Sequence, residues 1–321
     1  MNFPLFHRPG SVVFLDDDPD YLEMLALVLP RHWHVRLFLH PEDCIAHLNR
    51  EPPFWEADAW AQQEIIQHWH AGRPLVPQIL DYWSRSTERY ALTRVCVFDY
   101  SMPAMDGLQA LSRLQDWPGS RVLLTGQADD QVAIDAFNAG LIQQFVPKQT
   151  ADLSARLLDV VERLLAAPHA SYAQVWRATL KPEQVALLRE PAIARQLAAL
   201  AAARQWVEHV VIGDPFGVLG LDAAGSPGWL QLETAVGVSA LAELTQMEGM
   251  DAAVVADVRA GRKLASLEIS QALRQPVAVA DAVTLDAAGK VFAAWFPLQG
   301  VSLAGAVYGT WLGRQPPRRI H

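Results

Sequence analysis

The sequence predicts an α/β fold with a doubly wound parallel sheet, because apolar runs in its first half alternate with helix-like segments. The clearest run covers residues 95–98 and leads directly into Asp99. Such a run is typical of a strand that is buried on both faces of a parallel sheet. Pro103 and Gly107 then turn the chain into a helix that begins near Leu108. Asp99 is therefore expected at the carboxyl edge of the sheet, where open α/β folds place their chemistry.

Three other predicted strands also end in polar or charged groups. An uncompensated carboxylate at the end of a buried strand is unfavourable, so we expect these groups to converge on Asp99. These predicted strands begin at residues 12, 121 and 141, and a further strand over 35–39 completes the series. The side chains at the three strand ends are the pair Asp16 and Asp17, then Thr125, then Lys148.

This series resembles the receiver domain of a two-component response regulator. The resemblance covers roughly residues 10–167 and implies a five-stranded, flavodoxin-like parallel sheet. The residues that carry it are Asp16-Asp17, the run from Asp99 through Met102-Pro103 to Met105-Asp106-Gly107, then Thr125-Gly126, and Lys148. Each motif alone is weak, but their joint occurrence in order at strand ends is specific.

The resemblance implies a role for each of these residues in phosphorylation. Three neighbouring carboxylates repel one another, and Mg²⁺, which prefers oxygen ligands, relieves that repulsion. The implied magnesium ligands are Asp17 and Asp99, Asp16 through water, and the carbonyl of Ser101. Asp99 would accept the phosphoryl group, Lys148 would pair with a phosphate oxygen, and Thr125 would move to bind another oxygen together with Phe145. The implied phosphodonor is a sensor histidine kinase or a phosphotransfer protein.

Ordinary interpretations of the same residues stay open. Asp16 and Asp17 also fit the start of a solvated helix, and Lys148 fits a surface position. A degenerate receiver that keeps its shape without phosphorylation is a further alternative. One departure from the family pattern concerns the lysine, because Gln149 follows it where proline is usual and Pro147 precedes it.

Composition limits the classes of function. The net charge of −9 argues against a nucleic-acid surface. The only cysteines are Cys44 and Cys96, and Cys96 falls inside a predicted buried strand, which fits a reducing cytoplasm. No apolar run approaches the roughly 20 residues of a membrane span, and no leader is evident, so we expect a cytoplasmic protein.

An insertion over residues 49–92 separates the second predicted helix from the Asp99 strand. It is predicted to form two helices, 58–70 and 76–90, and it contains four of the eleven tryptophans. One interpretation is that these helices pack on each other and on the edge of the receiver. The other is that they form a surface for a partner, since exposed aromatic residues favour interfaces.

The remainder predicts a helical linker over 169–207 and an α+β domain over 208–314. The receiver itself, with its insertion, is assigned to 10–168. Strands are expected at 210–221, 229–234, 277–285, 291–298 and 302–312, with helices between the second and the third. That order resembles a PAS domain in topology and hairpin pattern.

These observations predict a phosphorylation-dependent response regulator, not an enzyme, whose C-terminal domain signals to a downstream protein partner. A homodimer through 171–206 or through the face beside Lys148 is a further hypothesis. Two other classes stay open: a DNA-binding transcriptional regulator, and an enzyme that acts on a signalling nucleotide. No basic recognition helix and no nucleotide-cyclase or phosphodiesterase signature supports either of them.

Overall fold

The computed structural model describes residues 3–103, 105–126, 130–167 and 169–321. They form two compact units, each assembled from separate stretches of the chain. The first, here the receiver unit, comprises Pro9–Asp58, Glu88–Ala167 and Trp311–His321. The second, here the antiparallel unit, comprises Met1–Arg8, Ala59–Thr87 and Pro168–Thr310.

The strands are β1 (Phe6–His7), β2 (Ser11–Leu15), β3 (His34–Phe38), β4 (Thr93–Asp99), β5 (Ser120–Thr125), β6 (Gln144–Pro147), β7 (Trp206–Gly213), β8 (Phe216–Asp222), β9 (Pro227–Thr234), β10 (Lys263–Ala265), β11 (Val279–Asp281), β12 (Val283–Thr284) and β13 (Val291–Pro297). The α-helices are α1 (Pro19–Val28), α2 (Pro41–Leu48), α3 (Pro52–His70), α4 (Leu75–Arg85), α5 (Gly107–Ser112), α6 (Asp130–Asn138), α7 (Leu153–Ala166), α8 (Ala170–Arg177), α9 (Pro182–Leu188), α10 (Pro191–Ala203), α11 (Ala235–Met247), α12 (Ala252–Arg259), α13 (Leu267–Leu273) and α14 (Tyr308–Gly313). Short 3-10 helices cover Thr87–Ala91 and Ala304–Ala306.

The receiver unit confirms the predicted doubly wound sheet. Its five strands are parallel in the order β3-β2-β4-β5-β6, so the strand order reverses at β2 and β4. Both faces are covered: α2, α5 and α6 pack on one, and α1 and α7 pack on the other. Alternate residues of β2 therefore enter different cores, Val13 and Leu15 on one side and Val12 and Phe14 on the other.

The turns at the carboxyl edge are fixed by local chemistry. Asp18 caps α1 by accepting hydrogen bonds from the backbone N–H groups of Asp20 and Tyr21, and Pro19 occupies the first helical turn. Gly107 begins α5 directly against the backbone of Asp99, where a side chain would collide with the carbonyl oxygen of Asp99. These constraints direct the chain away from the sheet edge and leave that edge open.

The segment Trp311–His321 completes the receiver unit, which the sequence did not predict. Ile320 bridges to Leu37 in parallel, beside the edge strand β3. The Arg318 guanidinium donates hydrogen bonds to the carbonyl oxygens of Ala26, Leu29, Pro30 and Trp33. Because the last carbonyls of a helix have no partner within it, Arg318 caps the C-terminal end of α1.

The antiparallel unit contains a sheet in the order β1-β7-β8-β9-β13-β12. Residues of α9 and α10 pack against one face of it, and α11 packs on β9. The strand predicted over 210–221 is wrong, because Asp214 and Pro215 interrupt it and produce the β7–β8 hairpin. The strand predicted over 302–312 is also wrong, since these residues form a 3-10 helix and the start of α14.

The antiparallel unit confirms that a second α+β element follows the receiver. Three strands, β7, β8 and β9, precede α11 where two were expected. Phe6–His7 adds a further strand from the other end of the sequence. The resemblance to a PAS domain and the domain ranges 10–168, 169–207 and 208–314 stay predictions. Among the helices of the described residues, none is both long and apolar enough to cross a bilayer.

The insertion forms α3, α4 and a 3-10 helix, close to the predicted helices. Its residues Ala59–Thr87 belong to the antiparallel unit, where α4 contacts α13. Trp176 donates a hydrogen bond to Gln62 across 2.7 Å within the same unit. Trp83 is buried, whereas Trp60 is 58% exposed.

Replacing Gly107 by alanine tests the close approach of α5 to Asp99. We expect Gly107→Ala to lower the free energy of unfolding by about 1–3 kcal/mol, because the backbone must shift to accept the methyl group. The measurement is urea unfolding followed by circular dichroism. Gly309→Ala is the control, since nothing lies near that position, and it should change little. Equal midpoints for the two variants would contradict the close approach.

Candidate functional site: an acidic pocket with one lysine

The carboxyl edge of the parallel sheet gathers three of the predicted carboxylates. One ligand oxygen from each of Asp16, Asp17 and Asp99 lies within 4.8 Å of the others. Asp16 and Asp99 are buried, at 1% and 4% exposure, whereas Asp17 is exposed. Neighbouring parallel strands explain the arrangement: β2 and β4 pair directly, and both end at this edge.

Lys148 supplies the positive charge that these acids need. It follows β6, and its Nζ lies 2.8 Å from Asp16 Oδ2 and 2.8 Å from Asp99 Oδ1. The backbone N–H of Lys148 donates to the carbonyl of Thr125, which aligns the lysine with the end of β5. One ammonium group thus compensates two buried carboxylates, and the third acid leaves the pocket with an excess of negative charge.

The pKa values reflect this crowding. Burial raises the pKa of Asp16 above its ordinary value, although the hydrogen bond and the charge of Lys148 oppose the shift. For Lys148, burial alone lowers the pKa, but hydrogen bonds to Asp16 and Asp99 and their negative charges outweigh it and raise the pKa. The lysine is therefore fully charged at neutral pH, and burial opposes the charge of Asp16.

The remaining predicted residues lie at the same edge or next to it. Thr125 ends β5, and its buried Oγ1 has no hydrogen-bond partner among the described residues. Ser101 follows Asp99 by two residues and has an exposed side chain. Phe145 in β6 is half-buried and packs against the core that contains α2, α5 and α6. The structure thus brings Asp16, Asp17, Asp99 and Lys148 into direct proximity.

Tyr21 is a site residue that sequence reasoning missed. The ammonium of Lys148 lies 5.0 Å from the centroid of the Tyr21 ring, within the range of a cation–π interaction. The Tyr21 hydroxyl is buried and has no hydrogen-bond partner in the described part of the chain. Burial raises the pKa of Tyr21 to about 12. The sequence position could have indicated this role, since Tyr21 lies in the first turn of the helix that follows Asp16 and Asp17.

Comparisons with known proteins bear on the fold. No family model matches the chain, and no curated protein matches it. The solved structure of the Legionella pneumophila response regulator LqsR is similar over 98% of this chain and 98% of its own, with 21% identity and a TM-score of 0.74. Together with the strand order, this similarity decides the fold. The receiver unit has the receiver fold.

A second solved structure covers only part of the chain. A response regulator receiver domain protein from Clostridium thermocellum matches 49% of this chain with 94% of its own, at 14% identity and a TM-score of 0.31. That score is too low to add to the fold assignment. The similarity to LqsR extends well beyond the receiver, so the antiparallel unit shares its fold with that protein too.

Replacing Asp16 by asparagine tests the burial of charge in the pocket. A carboxyl group whose pKa is raised by folding holds its proton more tightly in the folded protein, so stability falls as pH rises above about 3.8. We therefore expect Asp16→Asn to raise the free energy of unfolding at pH 7, without divalent cations, by roughly 1 kcal/mol. The gain should shrink as the pH falls below 4.

Urea unfolding with a chelator present, at pH 7 and at pH 4, measures this effect. Asp18→Asn is the matched control, because asparagine caps a helix as well as aspartate does and the residue lies next to the pocket. A variant at Asp16 that is less stable than the parent at pH 7 would show that the buried charge is net favourable.

Tyr21 allows a test of the contact with Lys148. Tyr21→Leu removes the ring and should lower the Lys148 pKa, since a cation–π contact contributes about 0.5–1 kcal/mol to the charged form. Tyr21→Phe keeps the ring, should leave that pKa unchanged, and should not destabilise the protein, because the hydroxyl it removes has no partner. NMR titration of the lysine side chain measures the pKa, and equal values in both variants would rule out the contact.

Proposed function

We propose that this protein is a response regulator of a two-component system that accepts a phosphoryl group on Asp99. The observation that carries the proposal is the pocket itself: three carboxylates within 4.8 Å of one another, with Lys148 at 2.8 Å from two of them. A structural ion pair would need one acid and one base. An excess of buried acid is expected instead where a cation and a phosphoryl group bind.

The donor set fits Mg²⁺. All three side chains offer carboxylate oxygens, which this hard cation prefers, and neither histidine nor cysteine belongs to the group. Asp16, Asp17 and Asp99 would hold the ion, and the carbonyl of Ser101 would complete the protein's share. When bound, Mg²⁺ neutralises charge that develops on the transferring phosphoryl group.

The residues of the chain then account for the transfer. An oxygen of Asp99 forms a bond to phosphorus while the phosphorus–nitrogen bond of a phosphohistidine breaks. The imidazole nitrogen leaves with the electron pair and takes a proton from solvent. A sensor histidine kinase or a phosphotransfer protein would supply that phosphohistidine. Lys148, already beside Asp99, pairs with an oxygen of the new acyl phosphate.

Two further side chains support a conformational response. The Thr125 hydroxyl is a buried donor at the end of β5 without a partner among the described residues, and buried polar groups normally have one. A phosphate oxygen on Asp99 would supply it. Movement of Thr125 toward that oxygen would be passed to the neighbouring strand β6, where the half-buried Phe145 would follow. Ordering by new phosphate contacts is a common form of switch.

We infer that the antiparallel unit carries the output and acts through protein contacts. The net charge of −9 favours protein partners over nucleic acid. A second copy of the chain and a downstream protein are both candidate partners for the switched state.

Phosphorylation of Asp99→Asn tests the function. With a small phosphodonor such as acetyl phosphate and with Mg²⁺, we expect the parent protein to gain one phosphoryl group and Asp99→Asn to gain none, because an amide is a poor nucleophile. Intact-protein mass spectrometry measures the gain. Asp106→Asn, a half-buried helix cap on the same loop, is the control and should be labelled normally.

Two results would overturn the assignment. Undiminished labelling of Asp99→Asn would move the phosphorylation site elsewhere. No labelling of the parent by either acetyl phosphate or a phosphorylated phosphotransfer domain, under conditions where the fold is intact, would make the protein a degenerate receiver.

A further inference from the structure

One helix of the antiparallel unit presents an unusual apolar surface to solvent. We define the α11 stripe as Val236, Ala240, Leu244 and Met247. Their spacing of four, four and three residues places them along one side of a helix. Val236 is 83% exposed, Met247 80% and Leu244 46%. Single exposed apolar residues are ordinary, but a continuous row of them marks an interaction surface.

The opposite side of α11 is firmly packed. Val238, Leu241, Ala242 and Thr245 are buried, and the helix contacts α12, β9 and β10. Thr234 caps its first turn by accepting a hydrogen bond from the N–H of Gly237. The orientation of the helix is thus fixed, and the α11 stripe is not a core face that a small rotation would bury.

Acidic residues border the α11 stripe. Glu243 lies on one flank and Glu248 on the other, both exposed and both without an ion pair among the described residues. From Ala235 to Val258 the sequence contains no Lys, Arg or His. Asp257, later in that stretch, is paired with Arg262 at 2.7 Å and with Lys263 at 3.9 Å. The rim of the stripe is therefore negative.

The negative rim favours some classes of binding partner over others. Two copies of α11 packed side by side in parallel would bring like-charged rims together, and an anionic membrane surface would be repelled in the same way. A helix with an apolar row flanked by Lys and Arg complements both the stripe and its rim. We infer that the α11 stripe is a docking site for a basic amphipathic helix of a partner protein. The inference deepens the proposed output role by naming its surface and the chemistry of its partner.

Three synthetic peptides test this directly. They share one leucine-rich helical pattern and differ only in the flanking residues, which are Lys, Gln or Glu. Binding to the 321-residue protein is measured by fluorescence anisotropy. We expect the Lys peptide to bind at least tenfold more tightly than the Glu peptide, with the Gln peptide between them. The difference should diminish at high salt, because the rim charges are exposed.

Variants locate the site and test its charge. Val236→Glu and Met247→Glu should each weaken the Lys peptide at least tenfold without loss of folding, since both side chains are largely exposed. Leu27→Glu is the matched control, because Leu27 is 86% exposed on α1 of the receiver unit and lies outside the stripe. Charge reversal in Glu243→Lys/Glu248→Lys should invert the ranking of the Lys and Glu peptides.

Several outcomes would overturn the inference. They are equal binding or no binding of all three peptides, binding unaffected by the two stripe variants, or a concentration-dependent dimer in light scattering that Met247→Glu abolishes. Binding is measured on unphosphorylated protein, so a failure of Asp99 to accept phosphate does not affect it. Conversely, loss of docking with normal labelling of Asp99 would refute only the inference about α11.

Discussion

The pairing of one ammonium group with two buried carboxylates is the interaction that organises the carboxyl edge of the receiver unit. Asp16 and Asp99 end adjacent strands in a low-dielectric environment, where neither charge is tolerated without compensation. Lys148 supplies it from a third strand end, at 2.8 Å from each. The ends of β2, β4 and β6 place the three charged groups in contact. The exposed Asp17 keeps the net charge of the pocket negative.

Much of this arrangement was predictable because buried parallel strands have a simple sequence pattern. A short apolar run that ends in an acid, a hydroxyl or an amine places that group at a known edge, and four of the five parallel strands lead into such a group. The proximity of Asp16, Asp17, Asp99 and Lys148 follows from that rule alone. Their roles in phosphorylation, and the involvement of Ser101, Thr125 and Phe145, stay predictions.

Other features were missed for identifiable reasons. Residues 210–221 look like one strand because Asp214-Pro215 is a two-residue interruption in an otherwise apolar stretch. Residues 302–312 have strand-like composition but form helical turns, a case in which tertiary packing overrides propensity. Tyr21 escaped notice because its contact with Lys148 spans two elements. The partners of Phe6–His7 and of Arg318 lie hundreds of residues away, so no local pattern identifies them.

The terminal segments have a consequence for how such a protein can arise. Phe6–His7 completes the sheet of the antiparallel unit, while Arg318 and Ile320 complete the receiver unit at the opposite end of the sequence. Each unit is thus encoded by three separate stretches of the gene. Recombination exchanges contiguous DNA, so neither unit can be transferred intact as a cassette. Any contiguous exchange that keeps one unit whole must therefore carry parts of the other as well.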